Sequence, residues 1–420
     1  MFAPGVPQIM REFGSHNNEL ATFVVSIFLL GFAVGPLLLA PASEIYGRYI
    51  IYNITNVSFV ICTIACARAP NLNFLIAFRF LSGIFGSAPL TIGGGTITDV
   101  IPPEGRGTAM ALFAVGPLMG PIIGPVVGGF LAGDEGWRWV FYLLAMCSGT
   151  VTIITFFFLK ETYAPVILEA KAARLRKSTG NLKLRSKFAS PLTPKEVVLQ
   201  ALVRPFKVLF MSPIVLIMST HMAIVYGYLY ILFTTFPTVF GVQYHFSTST
   251  TGLAYLGLGV GCLLSLLLLG LVSDKILVSM TNKYGERKPE FRLPPMAWGA
   301  PIIPAGLFWF GWSVEKNDHW IVPIIGSSLV GAGMLAVFMP VNTYIIDAYE
   351  KYSASALASV AVLRSILGAC LPLAAPKLYA VLGIGWGTSV MGFIAVLFLP
   401  MPFVFQRYGE RLRKRFPVGF

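Results

Sequence analysis

Three ionisable side chains, Arg79, His221 and Arg364, interrupt stretches of this sequence that are otherwise apolar. A charge at the depth of a membrane helix is costly, so such a residue usually faces the protein interior or a water-filled cavity. Arg364 could bind an anionic group of a ligand or pair within the protein, and Arg79 could instead extend to the membrane surface. The usual pKa range of histidine makes His221 a candidate proton carrier, while a buried structural histidine is the alternative.

Aromatic residues form a second group of candidates. Tyr226, Tyr230 and Phe233 recur at i, i+4 and i+7, which places them on one face of a helix, whereas His221 lies on a different face. Such rings suit a flat, lipophilic or cationic molecule through stacking and cation–π contacts, although each ring alone could serve packing. The predicted substrate-binding residues are Tyr226, Tyr230, Phe233, Asn342 and Arg364.

The arrangements that enzymes need are missing from these apolar stretches. No nucleophile stands beside a base, no histidines cluster and no acidic metal motif occurs. The five cysteines all fall inside apolar stretches, so disulfides are not expected and no metal-binding spacing exists. We therefore expect no enzymatic activity, no cofactor and no metal.

Composition identifies the elements that must position the candidate residues. Of the 420 residues, 56% are hydrophobic and 12% are charged, whereas a soluble domain carries about 25% charged residues. Many uncharged stretches reach the length of about 20 residues that spans a bilayer. The predicted fold class is an all-α polytopic membrane protein. Eleven spans are predicted, at 20–43, 49–67, 73–97, 107–132, 139–159, 212–236, 250–273, 295–314, 320–345, 353–376 and 385–405.

The distribution of basic residues predicts orientation and domain organisation. An external N-terminus places most of the 31 lysines and arginines on the cytoplasmic side, as the positive-inside rule requires. We predict an N-terminal bundle at 1–159, a basic cytoplasmic linker at 160–207, a C-terminal bundle at 208–405 and a basic cytoplasmic tail at 406–420. The net charge of +13 is then explained by topology and anionic lipid rather than by nucleic acid.

The loop between the first two spans carries Glu44, Gly47 and Arg48. A turn this short at a membrane face needs the conformational freedom of glycine. Glu44 and Arg48 can form a charged latch with Asp99, which ends the third span. Ordinary interfacial charge is the alternative.

Residues 116–129 contain three Gly-Pro pairs within one span. Glycine at every fourth residue creates a smooth face for close helix approach, and proline removes a backbone donor and bends the helix. Such a helix suits rocking between two states, and close packing without a transport role is the alternative. The motif residues are Gly120, Gly124, Pro125, Gly128 and Gly129.

On these motifs the chain resembles the major facilitator superfamily, and specifically the fungal drug:proton antiporters with twelve spans. The loop at Glu44–Arg48 is similar to the superfamily's cytoplasmic signature, and Gly124-Pro125-x-x-Gly128-Gly129 is similar to the antiporter signature. The phrases at 160–165 and 288–294 are typical of the fungal branch.

The resemblance implies two six-helix bundles, of which the N-terminal one lacks most of its first helix, since Met1–Ile9 looks like the external end of that helix. It implies that Glu44, Gly47, Arg48 and Asp99 form a conformational gate. It also implies that Arg79 takes part in proton coupling, with His221 as the second candidate.

The expected function is a proton-coupled exporter of drugs, toxins or a fungal secondary metabolite, working by alternating access as a monomer. Its partners are a small-molecule substrate, protons and the lipid bilayer, and its expected location is the plasma membrane with a cytoplasmic C-terminus. A polyamine exporter is a weaker alternative, because a polycation calls for acids deep in the spans and none is present. A non-transporting membrane sensor of the same fold is the alternative from another class.

Overall fold

The structure is a computed structural model, and it describes residues 1–15, 17–102, 106–181, 184–186, 194–286, 288–349 and 353–416. Parts of the predicted linker (182–183 and 187–193) and the end of the predicted tail (417–420) lie outside the described residues. Within these ranges the regular elements are helices, as the composition predicts.

The first half of the chain forms a succession of α-helices joined by short turns. They are α1 (Val6–Glu12), α2 (Asn18–Tyr46), α3 (Arg48–Ala67), α4 (Leu72–Gly86), α5 (Ala88–Val100), α6 (Arg106–Asp134), α7 (Trp137–Phe158) and α8 (Ala164–Thr179).

The second half continues in the same way, with a π-helical turn at Val239–Gln243 and a 3-10 turn at Pro289–Arg292. Its α-helices are α9 (Pro194–Met211), α10 (Pro213–Thr238), α11 (Thr248–Tyr284), α12 (Pro294–Gly299), α13 (Ile302–Glu315), α14 (Ile321–Ala348), α15 (Ser353–Leu397) and α16 (Met401–Arg415).

Eight helical segments in the described part of the chain are long and apolar enough to cross a membrane. The predicted span 295–314 is divided into α12 and α13 by a turn at Ala300 and Pro301. Proline lacks the N–H group that a continuous helix would use, and Pro304 lies in the next turn. The apolar run predicted one uninterrupted span here, and the structure has two shorter helices.

The predicted spans 353–376 and 385–405 lie in one long element, α15, whose backbone leaves helical geometry at Gly383 (φ 76°, ψ 171°). The carboxylate of Glu315 accepts the N–H groups of Ile384 at 2.9 Å and Gly385 at 3.0 Å, which caps the helix that restarts there. The last span was predicted too long. Residues 398–400 form a turn after Leu397, and the prolines at 400 and 402 favour a new helix start.

α11 is longer than the apolar stretch 250–273 that predicted it. Its 37 residues correspond to about 55 Å, which exceeds the ~30 Å thickness of a hydrocarbon core. The hydroxyl of Ser247 caps its start by accepting from the Thr250 N–H, and Gly285 ends it in the left-handed conformation (φ 74°). The additional helical turns begin with Asp274, which directly follows the apolar stretch.

Two compact units can be distinguished in the chain. The larger unit contains Met1–Leu29, Leu118–Val140 and Pro205–Phe420, and the smaller unit contains Leu30–Pro117 and Phe141–Arg204. Tyr255, Phe236, Phe240 and Phe310 are among the fully buried side chains of the larger unit, and Leu39, Ile51, Ala88 and Ile92 form a buried cluster in the smaller one. The bundles predicted at 1–159 and 208–405 stay a prediction.

Candidate functional site

In the smaller unit, charged and aromatic side chains surround Arg48, the first residue of α3. Its guanidinium donates from Nε to Asp99 Oδ2 at 3.3 Å and from Nη1 to Ser43 Oγ at 2.5 Å. The guanidinium carbon also lies 4.7 Å from the ring centroid of Tyr163. The side chains of Arg48 and Asp99 are only 11% and 18% exposed. Because the pair is partly buried, salt screens the attraction between the two charges only weakly. The pair joins the end of α5 to the start of α3.

The turn before α3 requires glycine for two reasons. Gly47 has φ 97° and ψ 157°, a conformation that side-chain-bearing residues rarely adopt. A Cβ atom at this position would also collide with the carboxylate of Glu161. That carboxylate accepts the N–H groups of Arg48 at 2.9 Å and Tyr49 at 3.2 Å. A negative charge is favourable here because the N-terminus of a helix carries partial positive charge.

The structure shows one of the ion pairs expected for the predicted latch, and the gating role of Glu44, Gly47, Arg48 and Asp99 stays a prediction. Arg48 contacts Asp99 as predicted, but Glu44 is exposed, and its carboxylate forms no ion pair with any residue in the described ranges. Glu44 lies two residues before the end of α2, whereas Glu161 accepts the backbone N–H groups at the start of α3. From the sequence, the phrase at 160–165 was assigned only as typical of the fungal branch. Its location on the same predicted membrane side as Arg48 was the signal that could have identified Glu161.

Tyr163, in the same phrase, completes the cluster. Burial raises the pKa of its phenol, and the neighbouring carboxylates of Glu44 and Asp99 raise it further against the opposing effect of Arg48. The phenol therefore stays protonated at neutral pH and offers Arg48 an uncharged aromatic face.

Arg79 lies in α4 of the smaller unit and is half-buried. Its guanidinium carbon is 5.9 Å from the ring centroid of Phe141 in α7. The side chain thus packs on an aromatic ring between two helices of its own unit. The role of Arg79 in proton coupling stays a prediction.

The Gly-Pro motif lies on α6, and its second half belongs to the larger unit. A Cβ atom on Gly129 would stand 2.9 Å from Gly252 Cα and 3.1 Å from Thr248 O, so the backbones of α6 and α11 are in direct contact. A Cβ atom on Gly252 would in turn stand 2.6 Å from the carbonyl oxygen of Pro125. The smooth face predicted for this helix is occupied by a partner helix at this point.

The other motif glycines differ from one another. A Cβ atom on Gly124 would stand 3.0 Å from the backbone nitrogen of Met1. A Cβ atom on Gly128 would collide with the carbonyl group of Met1. A Cβ atom on Gly120 would have no described atom within 4 Å. Close approach therefore explains Gly124, Gly128 and Gly129, and it gives no reason for glycine at position 120.

In the larger unit, the aromatic side chains of α10 form a continuous line. The ring centroids of Tyr226 and Tyr230 are 5.1 Å apart, and those of Tyr230 and Phe233 are 5.5 Å apart. Tyr255 of α11 continues the line at 5.5 Å from Phe233. The three residues of α10 thus share one face, as their spacing predicts.

Arg364 lies at one end of this aromatic line. Its guanidinium carbon is 4.8 Å from the ring centroid of Tyr226 in α10 and 5.2 Å from that of Phe338 in α14. Asn342 lies one turn further along α14 and donates its amide N–H to the Phe338 carbonyl oxygen at 2.8 Å. The structure therefore places Tyr226 and Arg364 together. It also adds Phe338, which the sequence analysis did not single out, because one phenylalanine in an apolar run gives no signal of a binding role.

His221 lies on a different face of α10. Its side chain is 2% exposed and stacks on Phe398, with ring centroids 4.8 Å apart and ring planes 5° apart. Tyr228 shares this face and donates its hydroxyl to the Met391 carbonyl oxygen at 2.9 Å. These contacts are those of core packing, and the role of proton carrier for His221 stays a prediction.

A second charged cluster lies in the larger unit, between α11, α14 and the 3-10 turn before α12. Arg292 pairs with Asp274 at 2.7 Å and with Asp347 at 3.1 Å. The carboxylate of Glu290, whose side chain is 4% exposed, pairs with Arg413 of α16 at 2.8 Å. The sequence analysis did not identify this cluster, because its members are far apart in the chain and come together only in the fold. Within the described ranges no three histidine, cysteine or acidic side chains converge as metal ligands would.

Comparisons with known proteins agree on the family. The sequence-family model of the Major Facilitator Superfamily matches residues 1–372 of this chain. The MFS-type transporter penM of Penicillium rubens is 53% identical over 422 residues, which covers 100% of this chain and 83% of that protein. The efflux pump radE of Floropilus chiversii is 47% identical over 422 residues, covering 100% of this chain and 78% of that protein.

A solved structure shows the same fold. The partially occluded, inward-open conformation of the xylose transporter XylE from E. coli has a TM-score of 0.68 and 18% sequence identity, covering 95% of this chain and 93% of that one. The predicted fold class, an all-α polytopic membrane protein with the major facilitator fold, is confirmed. At this identity the likeness extends to the fold alone.

Proposed function

We infer that this chain, which belongs to the Major Facilitator Superfamily, is a secondary transporter that exports small organic compounds by proton antiport. The compounds that we propose are drugs, toxins or a fungal secondary metabolite. We further propose that it works as a monomer in the plasma membrane, with its C-terminus in the cytoplasm.

Support for export comes first from the contact between α6 and α11. Gly129 and Gly252 bring the two backbones together within the motif that resembles the antiporter signature. Two helices that touch through glycines can slide or rock without carrying large side chains past one another. A relative that is 47% identical over this whole chain is named an efflux pump, which agrees with the same direction of transport.

We propose that the Arg48 cluster acts as a gate. The pair between Arg48 and Asp99 and the cap from Glu161 hold the starts and ends of α3, α5 and α7 together in the present conformation. Packed elements of this kind have discrete arrangements rather than a continuum, so separating them requires the ion pair to break. The gate would therefore favour one of the two access states by the free energy of this cluster.

Proton coupling is the less direct part of the proposal. A guanidinium does not lose its proton in proteins, so Arg79 would act through its fixed positive charge on a neighbouring group. The half-buried position of Arg79 beside Phe141 strengthens such an effect, because the surroundings screen charge less than water does.

The test measures dye retention in fungal cells that lack their own exporters and express this chain. Three dyes are used, an anion (fluorescein, loaded as its diacetate), a neutral dye (Nile red) and a cation (rhodamine 6G). We expect lower retention of at least one dye than in cells with an empty vector, and we expect a protonophore to abolish the difference. Equal retention of all three dyes with and without the chain would contradict export, and export that survives the protonophore would contradict proton coupling.

A further inference from the structure

We propose that Arg364, held between Tyr226 and Phe338, binds the anionic group of the substrate, so that the exported compounds are lipophilic anions with a flat apolar body. This inference rests on the proposed export function and names the substrate class of the same transporter. It concerns residues of the larger unit alone.

The first reason is that Arg364 has no acidic partner among the described residues. If the membrane boundary lies at Ser353, as the predicted span 353–376 has it, Arg364 lies about 16 Å along α15 inside a hydrocarbon core of about 30 Å. Its Nε atom is buried without a hydrogen-bond partner, and no carboxylate of a described residue lies within ion-pair distance of its guanidinium. A charge at such a depth normally has a partner, because leaving it unpaired in an apolar environment is costly. A substrate anion would supply that partner.

The second reason is the geometry of the aromatic contacts. Tyr226 and Phe338 approach the guanidinium at 4.8 Å and 5.2 Å from their ring centroids, which partly offsets the cost of burying the charge. The N–H donors of a guanidinium lie in its plane and form a fork that matches a carboxylate. Ring contacts of this kind leave those donors available to a bidentate anion.

The third reason is the apolar surface that continues from the charge. Tyr226 and Tyr230 are half-buried, and the line of rings extends to Phe233. A Cβ atom on Gly368 of α15 would stand 2.9 Å from the Tyr226 ring, so the glycine lets this ring lie close to the helix that carries Arg364. A compound with one negative charge beside a flat ring system fits this arrangement. A polyamine does not, because Arg364 would repel it.

The experiment compares two dyes with the same xanthene body and opposite charge, fluorescein and rhodamine 6G. Their binding to the purified full chain in lipid nanodiscs is measured by fluorescence anisotropy. The variants are R364Q, which removes the charge, and R364K, which keeps it. The control is R68Q, because Arg68 is exposed and distant in sequence from this site.

We expect R364Q to weaken fluorescein binding by about tenfold or more, the effect of losing a charged hydrogen bond, and R364K to weaken it less. We expect R364Q to strengthen rhodamine 6G binding, a gain that a misfolded variant could not show. R68Q should bind both dyes as the unchanged chain does.

Equal fluorescein affinity of R364Q and the unchanged chain would overturn the inference, as would a parallel loss for both dyes or no fluorescein binding to the unchanged chain. Binding is read independently of transport. Charge-dependent binding without export in cells would therefore overturn the proposed function and support the substrate class. Export of the neutral or cationic dye with no effect of R364Q would support the proposed function and overturn the substrate class.

Discussion

Replacing Glu161 by glutamine tests the most detailed feature of the Arg48 cluster. Glu161 Oε1 accepts the N–H groups of Arg48, Thr162 and Tyr163 at 2.9–3.0 Å, and Oε2 accepts the N–H group of Tyr49 at 3.2 Å. Glutamine keeps one acceptor oxygen and places an NH₂ group where the other stood. One backbone donor at the start of α3 then faces another donor, and the negative charge at this helix terminus is lost.

The size of the effect follows from these two losses. Removing a charge from a partly buried helix terminus costs about 1–2 kcal/mol, and a lost hydrogen bond to a charged acceptor costs about 1.5–3 kcal/mol. Because these contributions overlap, we expect E161Q to destabilise this conformation by about 2–4 kcal/mol. If export requires the cluster to form in one access state, a shift of about 1.4 kcal/mol changes the population ratio tenfold. Export should fall at least tenfold.

The assay measures the apparent Tm of the purified chain and its dye export in cells. The matched control is K160Q, because Lys160 is the exposed neighbour of Glu161. We expect E161Q to lower both the apparent Tm and the export rate, E161A to lower them further, and K160Q to leave both unchanged. An E161Q variant that matches K160Q in both measurements would refute the cap and its role in the gate.

Three further predictions concern other parts of the chain. G129A should reduce export at least tenfold, because overpacking of the contact with α11 costs about 1–3 kcal/mol, whereas G120A should leave export unchanged; similar effects of both would contradict the contact geometry. E12Q should lower the apparent Tm at pH 7 by an amount corresponding to about 1 kcal/mol or less. The hydrogen bond from Arg138 holds the pKa of the Glu12 carboxyl below its usual value, so this stabilisation is present above the unfolded pKa and is lost as pH falls through the folded one. A Tm difference that does not diminish as pH falls would contradict it. H221F should keep the stack and retain proton-driven export; loss of proton dependence with an unchanged Tm would instead establish His221 as the proton carrier.

Much of the fold could be predicted from apolar length and charge alone, because a bilayer imposes a minimum length on every span. The interruptions could not. Pro301 was visible in the sequence, but proline also occurs inside α10 and α14, so its presence does not decide whether a helix stops. The break at Gly383 depends on the Glu315 carboxylate, which comes from another helix and closes the new helix start.

The candidate site shows the same limit. Spacing on α10 correctly predicted that Tyr226, Tyr230 and Phe233 share a face, since helical periodicity is a local property. Which helix lies opposite that face is a tertiary property, so Phe338 could not be found from spacing. The contribution of Glu161 to the Arg48 cluster has the same origin, because which acids on one predicted membrane side approach the start of α3 depends on tertiary packing.

Transport by the purified chain in liposomes tests the central claim, proton-driven export, most directly. Vesicles with an acidic lumen are mixed with dye outside, and protein-free vesicles correct for passive entry. Antiport predicts that protons leaving the lumen drive dye accumulation inside, and that nigericin, which collapses the pH gradient, abolishes it. Accumulation only when the outside is the acidic side, or accumulation that is insensitive to nigericin, would contradict proton antiport.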